Sequence, residues 1–189
     1  GKSGSYLNWY TYLMIYLIGG IPRVGKSTIA SLLLERNKIS CISTDVIRNL
    51  LDFSPTKVGI NDLEVNKKPE AFLPYFLQLL HILQNKYTNY VVEGDLFTPE
   101  QVSVIQKEID LKCVFVGASA ITLEDLKQID PKLDWVNKMP EDVQARMPEK
   151  FIERSKVVEA EAAKYNFPYF DINPDRAQAL ESAYKALVV

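Results

Sequence analysis

The sequence predicts one α/β domain, a three-layer sandwich in which helices cover both faces of a five-stranded parallel sheet. Two observations support this prediction. Five short apolar runs, rich in β-branched and aromatic residues, have the near-continuous hydrophobicity of strands that are buried on both faces. Helical patterns lie between consecutive runs, and parallel strands need such crossover connections. We therefore expect each run and the helix after it to form one strand–helix unit.

The predicted strands follow one another at intervals long enough for a helix. They cover residues 13–18, 39–43, 90–93, 111–117 and 168–172. The intervening segments predict helices over residues 26–35 and about 70–86. Thr-Pro-Glu-Gln at residues 98–101 combines a capping box with proline at the first helical position, and Asn173-Pro174 opens the last helix in the same way.

One domain is predicted over residues 14–189, because no repeat, low-complexity tract or linker divides it. Residues 1–13 begin with a Gly/Ser-rich stretch, and we expect an added leader or a disordered segment there. Two further stretches, 52–69 and 131–148, are predicted loops because they contain several proline, glycine or asparagine residues. Long loops in a compact domain are usually functional, so 131–148 is the candidate for a lid over bound phosphates. An ordinary surface connection is the alternative.

The segment between the first strand and the first helix has the pattern G-x-x-x-x-G-K-[ST] of a phosphate-binding loop. Its glycines let successive backbone N–H groups point at an anion, and the following helix adds the positive end of its dipole. Lys26 would lie between the β- and γ-phosphates of a nucleotide, and Ser27 would offer its hydroxyl to Mg²⁺. The predicted nucleotide-binding residues of this loop are Gly20, Ile21, Pro22, Arg23, Val24, Gly25, Lys26, Ser27 and Thr28.

One class of nucleotide-binding protein, the GTP-binding switches, does not agree with the sequence. Guanine recognition in those proteins uses the motif Asn-Lys-x-Asp. Asn-Lys occurs at residues 37, 66, 85 and 137, but the residues three positions after each asparagine are Ser40, Pro69, Thr88 and Pro140. The Asp-x-x-Gly switch motif is also missing, since no glycine has aspartate three positions before it.

The sequence resembles the small-molecule kinases among the P-loop proteins, and within that group it is most similar to 2-phosphoglycerate kinase-like proteins. Three motifs carry the resemblance: Gly-Gly at 19–20 with Gly-Lys-Ser-Thr at 25–28, Ile-Ser-Thr-Asp-Val-Ile-Arg at 42–48, and Val-Val-Glu-Gly at 91–94. The resemblance implies a P-loop kinase domain that uses ATP and Mg²⁺. In similar kinases the loop after the fifth strand packs against the adenine, which here implies a contact from Asn173 and Pro174.

Polar side chains after the second and third strands are the candidates for holding the phosphoryl acceptor. Asp45 lies at the edge of the sheet where ligands of open α/β folds bind, and it could accept a hydroxyl proton or hold the acceptor. Arg48, one helical turn later, could grip a carboxylate or phosphate of the acceptor. Glu93 and Asp95 could also orient the acceptor. Glu93 and Ser27 are the predicted ligands of Mg²⁺, with Glu93 contacting the ion through water. The alternative for the three acidic residues is that they only stabilise the start of a helix, and the alternative for Arg48 is a solvent-exposed helix side chain.

An arginine is expected to stabilise the charge that builds up on the phosphoryl group during transfer. Arg146 in the predicted lid and Arg154 on the following helix are the candidates, and with Lys26 and Asp45 they complete the predicted catalytic residues. Arg23, inside the phosphate loop, is a third arginine that could reach the transferring phosphoryl group. For Arg23 and Arg154 a side chain that simply points to solvent is the alternative.

Composition limits the expected partners and location. The formal net charge is −2, so neither a nucleic-acid nor a membrane partner is expected. The apolar stretch that ends at residue 18 is too short to span a membrane, and the chain lacks the layout of a signal peptide, so a cytoplasmic location is predicted. Cys41 and Cys113 both lie in predicted strands, where buried thiols in a reducing compartment are expected.

These observations predict ATP-dependent phosphoryl transfer to a hydroxyl or phosphate group of a small metabolite. Three alternatives stay open: a nucleoside or nucleotide kinase of the adenylate type, an ATP-binding regulatory module with little transfer, and a drug-modifying phosphotransferase. The acceptor pocket would be built from the segments 49–75 and 120–150, whose sequences do not identify the acceptor. The oligomeric state is not predicted.

Overall fold

The computed structural model describes residues 13–86, 88–127 and 135–189. Within them, five parallel strands form one sheet in the order β2-β3-β1-β4-β5. The strands are β1 (Ile15–Gly20), β2 (Ser40–Ser43), β3 (Tyr90–Glu93), β4 (Leu111–Gly117) and β5 (Tyr169–Asp171). The predicted leader lies outside the described residues except for residue 13, and so do residues 131–134 of the predicted lid. The five-stranded parallel sheet confirms the predicted fold class.

The helices connect the strands and start close to the positions that the sequence indicates. They are α1 (Lys26–Asn37), α2 (Thr44–Phe53), α3 (Lys68–Gln84), α4 (Pro99–Ile105), α5 (Leu123–Lys127), α6 (Glu141–Lys164) and α7 (Arg176–Val188). Short 3₁₀ turns lie at Ile60–Asp62 and Val136–Lys138. The predicted capping box is present, because the side chains of Thr98 and Gln101 each accept a hydrogen bond from the other residue's backbone N–H.

Helices pack against both faces of the sheet and produce two apolar cores. Leu17 and Ile18 are neighbours in β1 and are both fully buried, but they belong to different cores because strand side chains alternate between faces. Ile18 packs in the core that includes residues of α1 and α7, and Leu17 packs in the core that includes residues of α3 and α4. Since β1 lies between β3 and β4, it is covered on every side, and its sequence is therefore apolar throughout.

The prediction of a loop over residues 131–148 is wrong for residues 141–148, because these residues form the first two turns of α6. Pro140 directly precedes the helix, where it costs no hydrogen bond, and Pro148 lies inside it. The buried side chains of Gln144 and Met147 explain why the helix persists across Pro148: Met147 packs into the core, and Gln144 Nε2 donates to the carbonyl of Met139 at 2.7 Å.

The two cysteines differ in exposure. Cys113 is buried in the central strand β4, as expected, but Cys41 is exposed, so the prediction of a buried thiol is wrong at that position. The reason is topological: β2 is an edge strand and has a neighbour on one side only. A separate result is that no helix among the described residues combines the length and the apolar character needed to cross a membrane.

Candidate active site

A cleft of about 700 Å³ lies at the carboxyl ends of the strands. Its walls come from the phosphate loop, the starts of α2, α3 and α7, the turn after β3, and α6. Most of the site residues that the sequence indicates line this cleft, namely Pro22, Arg23, Gly25, Lys26, Ser27, Thr28, Asp45, Arg48, Glu93, Asp95 and Arg154. The fold therefore brings the predicted phosphate loop and the predicted acceptor residues to one cavity.

Two glycines of the phosphate loop are required by close approaches of the backbone. A Cβ atom at Gly20 would lie 1.9 Å from the carbonyl oxygen of Val116 on β4. Gly25 has a φ of 97°, in the left-handed region that favours glycine, and a Cβ atom there would lie 2.9 Å from Leu180 of α7. The loop therefore packs closely against β4 and α7, and these two positions leave no room for a side chain.

The loop presents unpaired backbone donors. The N–H groups of Val24, Gly25, Lys26 and Ser27 meet no hydrogen-bond acceptor among the described residues, whereas the next two, of Thr28 and Ile29, donate to the carbonyl of Gly25. Successive free amides at the start of a helix form a concave site for an anion, and this arrangement fits a polyphosphate chain. The side chains of Ile21 and Val24 are fully buried and support the loop from below.

Lys26 is the buried cation of the site. Its side chain is 7% exposed, and Nζ donates to the carbonyl of Ile21 at 2.6 Å. Burial lowers the pKa of Lys26, and the nearby carboxylates of Asp95, Glu93 and Asp45 act in the opposite direction. An ammonium group held among carboxylates and beside free amides is well placed to contact the phosphates of a nucleotide.

Ser27 and Glu93, the predicted metal ligands, line the same cleft. No group of three or more His, Cys, Asp or Glu side chains among the described residues is arranged as a complete metal site. This agrees with the chemistry of Mg²⁺, which binds few protein ligands and keeps phosphate oxygens and water in its shell. The roles of Ser27 and Glu93 toward a nucleotide-bound Mg²⁺ stay predictions.

Asp45 and Arg48 form an ion pair at the start of α2. Arg48 Nη1 lies 3.1 Å from Asp45 Oδ1, and the backbone N–H of Asp45 donates to Ser43 Oγ, which caps the helix. Burial raises the pKa of Asp45, with a further contribution from Asp95, and the cations Arg48, Lys26 and Lys68 partly oppose this shift. These influences shift the pKa of Asp45 upward, although its side chain is 55% exposed.

The turn after β3 brings the other acidic residues into the cleft. Gly94 packs against α2 so closely that a Cβ atom would lie 1.7 Å from Thr44 Oγ1. Beyond Gly94, Asp95 Oδ2 accepts a hydrogen bond from Arg154 Nη1 at 3.2 Å, and the backbone carbonyl of Asp95 accepts one from Arg154 Nη2 at 3.1 Å. Arg154 is thus held in the cleft by a two-point contact, which the sequence did not indicate.

Other predicted residues lie elsewhere. Arg146 is exposed on α6, about two turns before Arg154, and is not part of the cleft lining. Asn173 and Pro174 do not line the cleft either, and Asn173 Oδ1 accepts a hydrogen bond from the N–H of Ala120. Their predicted roles toward the transition state and the adenine stay predictions.

The structure adds two cleft residues that sequence reasoning missed. Arg176, at the start of α7, lines the cleft and donates through Nη2 to the carbonyl of Arg23 at 3.2 Å. Trp135, in the predicted lid, also lines the cleft, and the guanidinium carbon of Arg23 lies 5.8 Å from the centre of its ring. The signal for Arg176 was its place just after the fifth strand, since residues that follow strands at this edge reach the ligand site. Trp135 had no comparable signal.

The loop between α2 and α3 is organised by Asp52. This buried carboxylate accepts hydrogen bonds from the backbone N–H groups of Gly59, Ile60 and Asn61. Asn61 in turn lines the cleft, and its carbonyl accepts a hydrogen bond from Lys68 Nζ at 3.2 Å. Asp52 therefore sets the position of the loop wall of the site without touching the cleft itself.

Replacing Asp52 by asparagine is expected to lower the unfolding temperature by several degrees at neutral pH, because the amide cannot accept all three hydrogen bonds. Burial would raise the pKa of Asp52, but the three N–H groups and Lys57 outweigh it and lower the pKa. The stabilisation is therefore present at neutral pH and is lost as the pH falls through the lowered pKa of the folded state. Thermal unfolding between pH 7 and pH 3 measures this effect. The difference in unfolding temperature between wild type and Asp52→Asn should become smaller as the pH falls.

The matched control for this experiment is Asp62→Asn, because the Asp62 side chain is 67% exposed and its ion pair is with the exposed Lys57. Its unfolding temperature should stay close to that of the wild type. A difference between wild type and Asp52→Asn that stays constant down to pH 3 would contradict the ionised state assigned to Asp52.

No protein-family model matches the chain, and no curated protein matches its sequence. Solved structures do match. A gluconokinase from Sinorhizobium meliloti aligns over 91% of this chain and 90% of its own, with a TM-score of 0.56 and 13% identity. A shikimate kinase from Bacteroides thetaiotaomicron aligns over 93% and 96%, with a TM-score of 0.54 and 15% identity.

A sugar kinase from a Janibacter species gives a similar result, with a TM-score of 0.58, 12% identity and coverage of 93% of this chain and 94% of its own. These proteins are P-loop small-molecule kinases, and the chain shares their α/β fold over nearly its whole length. At identities this low, the likeness establishes the fold alone. None of these three structures is described as acting on 2-phosphoglycerate, so that part of the resemblance gains no support from them.

Proposed function

We propose that this protein transfers the γ-phosphoryl group of ATP to a hydroxyl group of a small molecule. The observation that carries the proposal is that the phosphate loop and the base candidate Asp45 open into one cleft. Free loop amides and Lys26 provide the anion site of this cleft, while Asp45 and Arg48 lie in another wall. The kinase fold of the matching structures agrees with this reaction class.

In the proposed step, the acceptor hydroxyl oxygen forms a bond to the γ-phosphorus. The bond between that phosphorus and the β–γ bridging oxygen breaks, and ADP leaves with the electron pair. The hydroxyl proton passes to the carboxylate of Asp45, which hydrogen-bonds the acceptor and orients it for in-line attack. The raised pKa of Asp45 favours this role because it strengthens the carboxylate as a base.

Cations in the cleft stabilise the charge of the reacting phosphates. Lys26 and the loop amides hold the β- and γ-phosphates. Mg²⁺, when bound with the nucleotide, neutralises phosphate charge, and Ser27 and Glu93 would hold it together with water. Arg154 is better placed than Arg146 to contact the transferring group, since Arg154 lines the cleft and Arg146 does not. The proposed adenine contact remains the loop at Asn173.

The proposed lid is the segment from residue 131 into the start of α6. Trp135 and Met139 lie in this segment and both line the cleft, which supports a role in covering bound phosphates. The ring contact between Trp135 and Arg23 joins this segment to the phosphate loop. The proposed location is the cytoplasm, where free thiols such as the buried Cys113 stay reduced.

The proposal is tested by ADP formation from Mg-ATP in the presence of a panel of acceptors. The panel contains phosphoglycerates, shikimate, gluconate, nucleosides and their monophosphates, uncharged alcohols, and aminoglycoside- and phenicol-type drugs. These compounds separate the metabolite, nucleotide and drug-modifying alternatives. We expect one class to raise ADP formation at least about tenfold above the acceptor-free rate. Nucleotide binding that no acceptor converts into faster ADP release would instead favour an ATP-binding regulatory module.

A further inference from the structure

A second cavity, of about 450 Å³, adjoins the phosphate cleft, and of the phosphate-loop residues it is lined by Gly20 alone. Its lining is largely apolar, and the apolar side chains are Val65, Pro69, Phe97, Pro99, Val157 and Val158. A cavity of this size, lined by apolar side chains with a few polar groups, is typical of a site for a small organic molecule. The other residues that line it are Gly20, Asn66, Asp95, Thr98, Arg154 and Glu161.

The second cavity is continuous with the cleft. Val65, Asp95 and Arg154 line both spaces, and the two hydrogen bonds between Arg154 and Asp95 form the boundary between them. We call Asp95 and Arg154 the boundary pair. A molecule that extends from the cleft past the boundary pair would place one end near Asp45 and the other among apolar side chains.

Two of the arginines that line the cleft are already paired, Arg48 with Asp45 and Arg154 with Asp95. Outside the phosphate loop, the described lining residues supply three carboxylates and four cations, and the remaining ones are Glu93, Lys68 and Arg176. An anionic acceptor would have to compete with Asp45 for Arg48 and break the boundary pair to reach Arg154. An uncharged hydroxyl compound needs no such exchange, so the electrostatics favour a neutral acceptor.

The rim of the second cavity leaves apolar surface exposed. Val157 on α6 is 58% exposed and Val65 is 54% exposed, although Phe97 deeper in the cavity is only 4% exposed. A bound apolar group would remove this rim from water, which is the ordinary driving force for filling such a pocket.

We propose that the acceptor is an uncharged amphiphile, with a hydroxyl group at Asp45 and an aromatic or aliphatic body in the second cavity. The transfer part of this inference rests on the proposed function, whereas binding of the apolar body does not. The inference separates this chain from kinases of small polyhydroxylated acids, because such acids would meet an apolar pocket and paired arginines.

Three probes that differ by one group test the inference. Glycerol is neutral without an apolar body, 3-phenylpropane-1,2-diol replaces one hydroxyl of glycerol by a phenyl ring, and glycerate replaces a hydroxymethyl group by a carboxylate. We expect kcat/KM for the phenyl diol to exceed that for glycerol and for glycerate by at least about tenfold, because the ring is buried in the second cavity. Ligand-observed NMR with Mg-ADP present measures binding of the same probes without catalysis.

The variants Val157→Asp and Val104→Asp locate the effect. Both valines are 58% exposed helix residues, but Val157 lines the second cavity and Val104 on α4 lines neither space. Val157→Asp should lower the affinity for the phenyl diol and its kcat/KM about tenfold each. It should leave kcat/KM for glycerol and the affinity for the nucleotide unchanged. Val104→Asp should behave as the wild type in every assay.

The outcomes separate the two proposals. Phenyl diol binding that Val157→Asp weakens, without phosphoryl transfer to any probe, would support the pocket and contradict the proposed function. Efficient transfer to glycerate or another polar acid, with no preference for the phenyl diol, would support the kinase and overturn this inference. Phenyl diol binding that both aspartate variants leave unchanged would also overturn it, since the ring would then bind outside the second cavity.

Discussion

Replacing Lys26 by alanine is expected to lower phosphoryl transfer by roughly 10²–10³-fold or more, the effect of removing one preorganised donor from a site that stabilises developing negative charge. Lys26 is 7% exposed and lies in the phosphate loop next to the free amides, where its charge would contact the phosphates directly. Acceptor-dependent ADP formation measures the loss. Nucleotide affinity should fall as well, because Lys26 contacts the bound phosphates in both ground and transition states.

The fold should survive this substitution. Among the described residues, the ammonium group of Lys26 donates only to the carbonyl of Ile21, and burial already opposes its charge. The unfolding temperature of Lys26→Ala should therefore stay near that of the wild type, as should that of a control, Lys185→Ala, whose side chain is 67% exposed. Full activity of Lys26→Ala would contradict the phosphate-loop mechanism. Lost activity together with a large drop in unfolding temperature would mean that the effect is structural.

The parts of the molecule that the sequence predicted are those with local causes. The strand predicted over 111–117 coincides with β4 (Leu111–Gly117), because a strand that is buried on both faces must be apolar at every position. The phosphate loop has a fixed spacing of glycine and lysine, so its position and its donors followed from nine consecutive residues. Asp45 and Asp95 were identified because they follow strands, and the ends of parallel strands meet at one edge.

The parts that the sequence did not predict depend on contacts between distant segments. The hydrogen bonds of Arg154 to Asp95 join residues 59 positions apart, and the contact of Arg176 with Arg23 spans 153 positions. Neither pairing has a local pattern. The same is true of the second cavity, whose apolar lining comes from three separate stretches of chain. The helix over residues 141–148 was missed for the opposite reason: two prolines gave a strong local signal for a loop, and tertiary burial of Met147 overrode it.

Replacing Asp45 by asparagine is expected to lower kcat by about 10²–10⁴-fold, the usual contribution of a positioned general base, and to leave nucleotide affinity within a factor of about two. Asparagine has nearly the same shape but cannot accept the acceptor proton. The helix cap is retained in this variant, because it uses the backbone N–H of Asp45 and Ser43 Oγ. Steady-state turnover with the best acceptor and a separate titration with Mg-ADP measure the two quantities. An equal loss of turnover and of nucleotide affinity would argue that Asp45 has a structural role.

The pH dependence of turnover distinguishes a base from a residue that only holds the acceptor. Burial and Asp95 raise the pKa of Asp45, so wild-type kcat should decline toward acid pH at values above the range of an ordinary aspartate. Arg48 opposes that shift, because it lies 3.1 Å from the carboxylate. Replacing Arg48 by methionine should therefore raise the pKa further and move the acid decline to higher pH, whereas Asp45→Asn should lose this decline altogether. If the decline persists unchanged in both variants, Asp45 is not the titrating group and its assignment as the base is wrong.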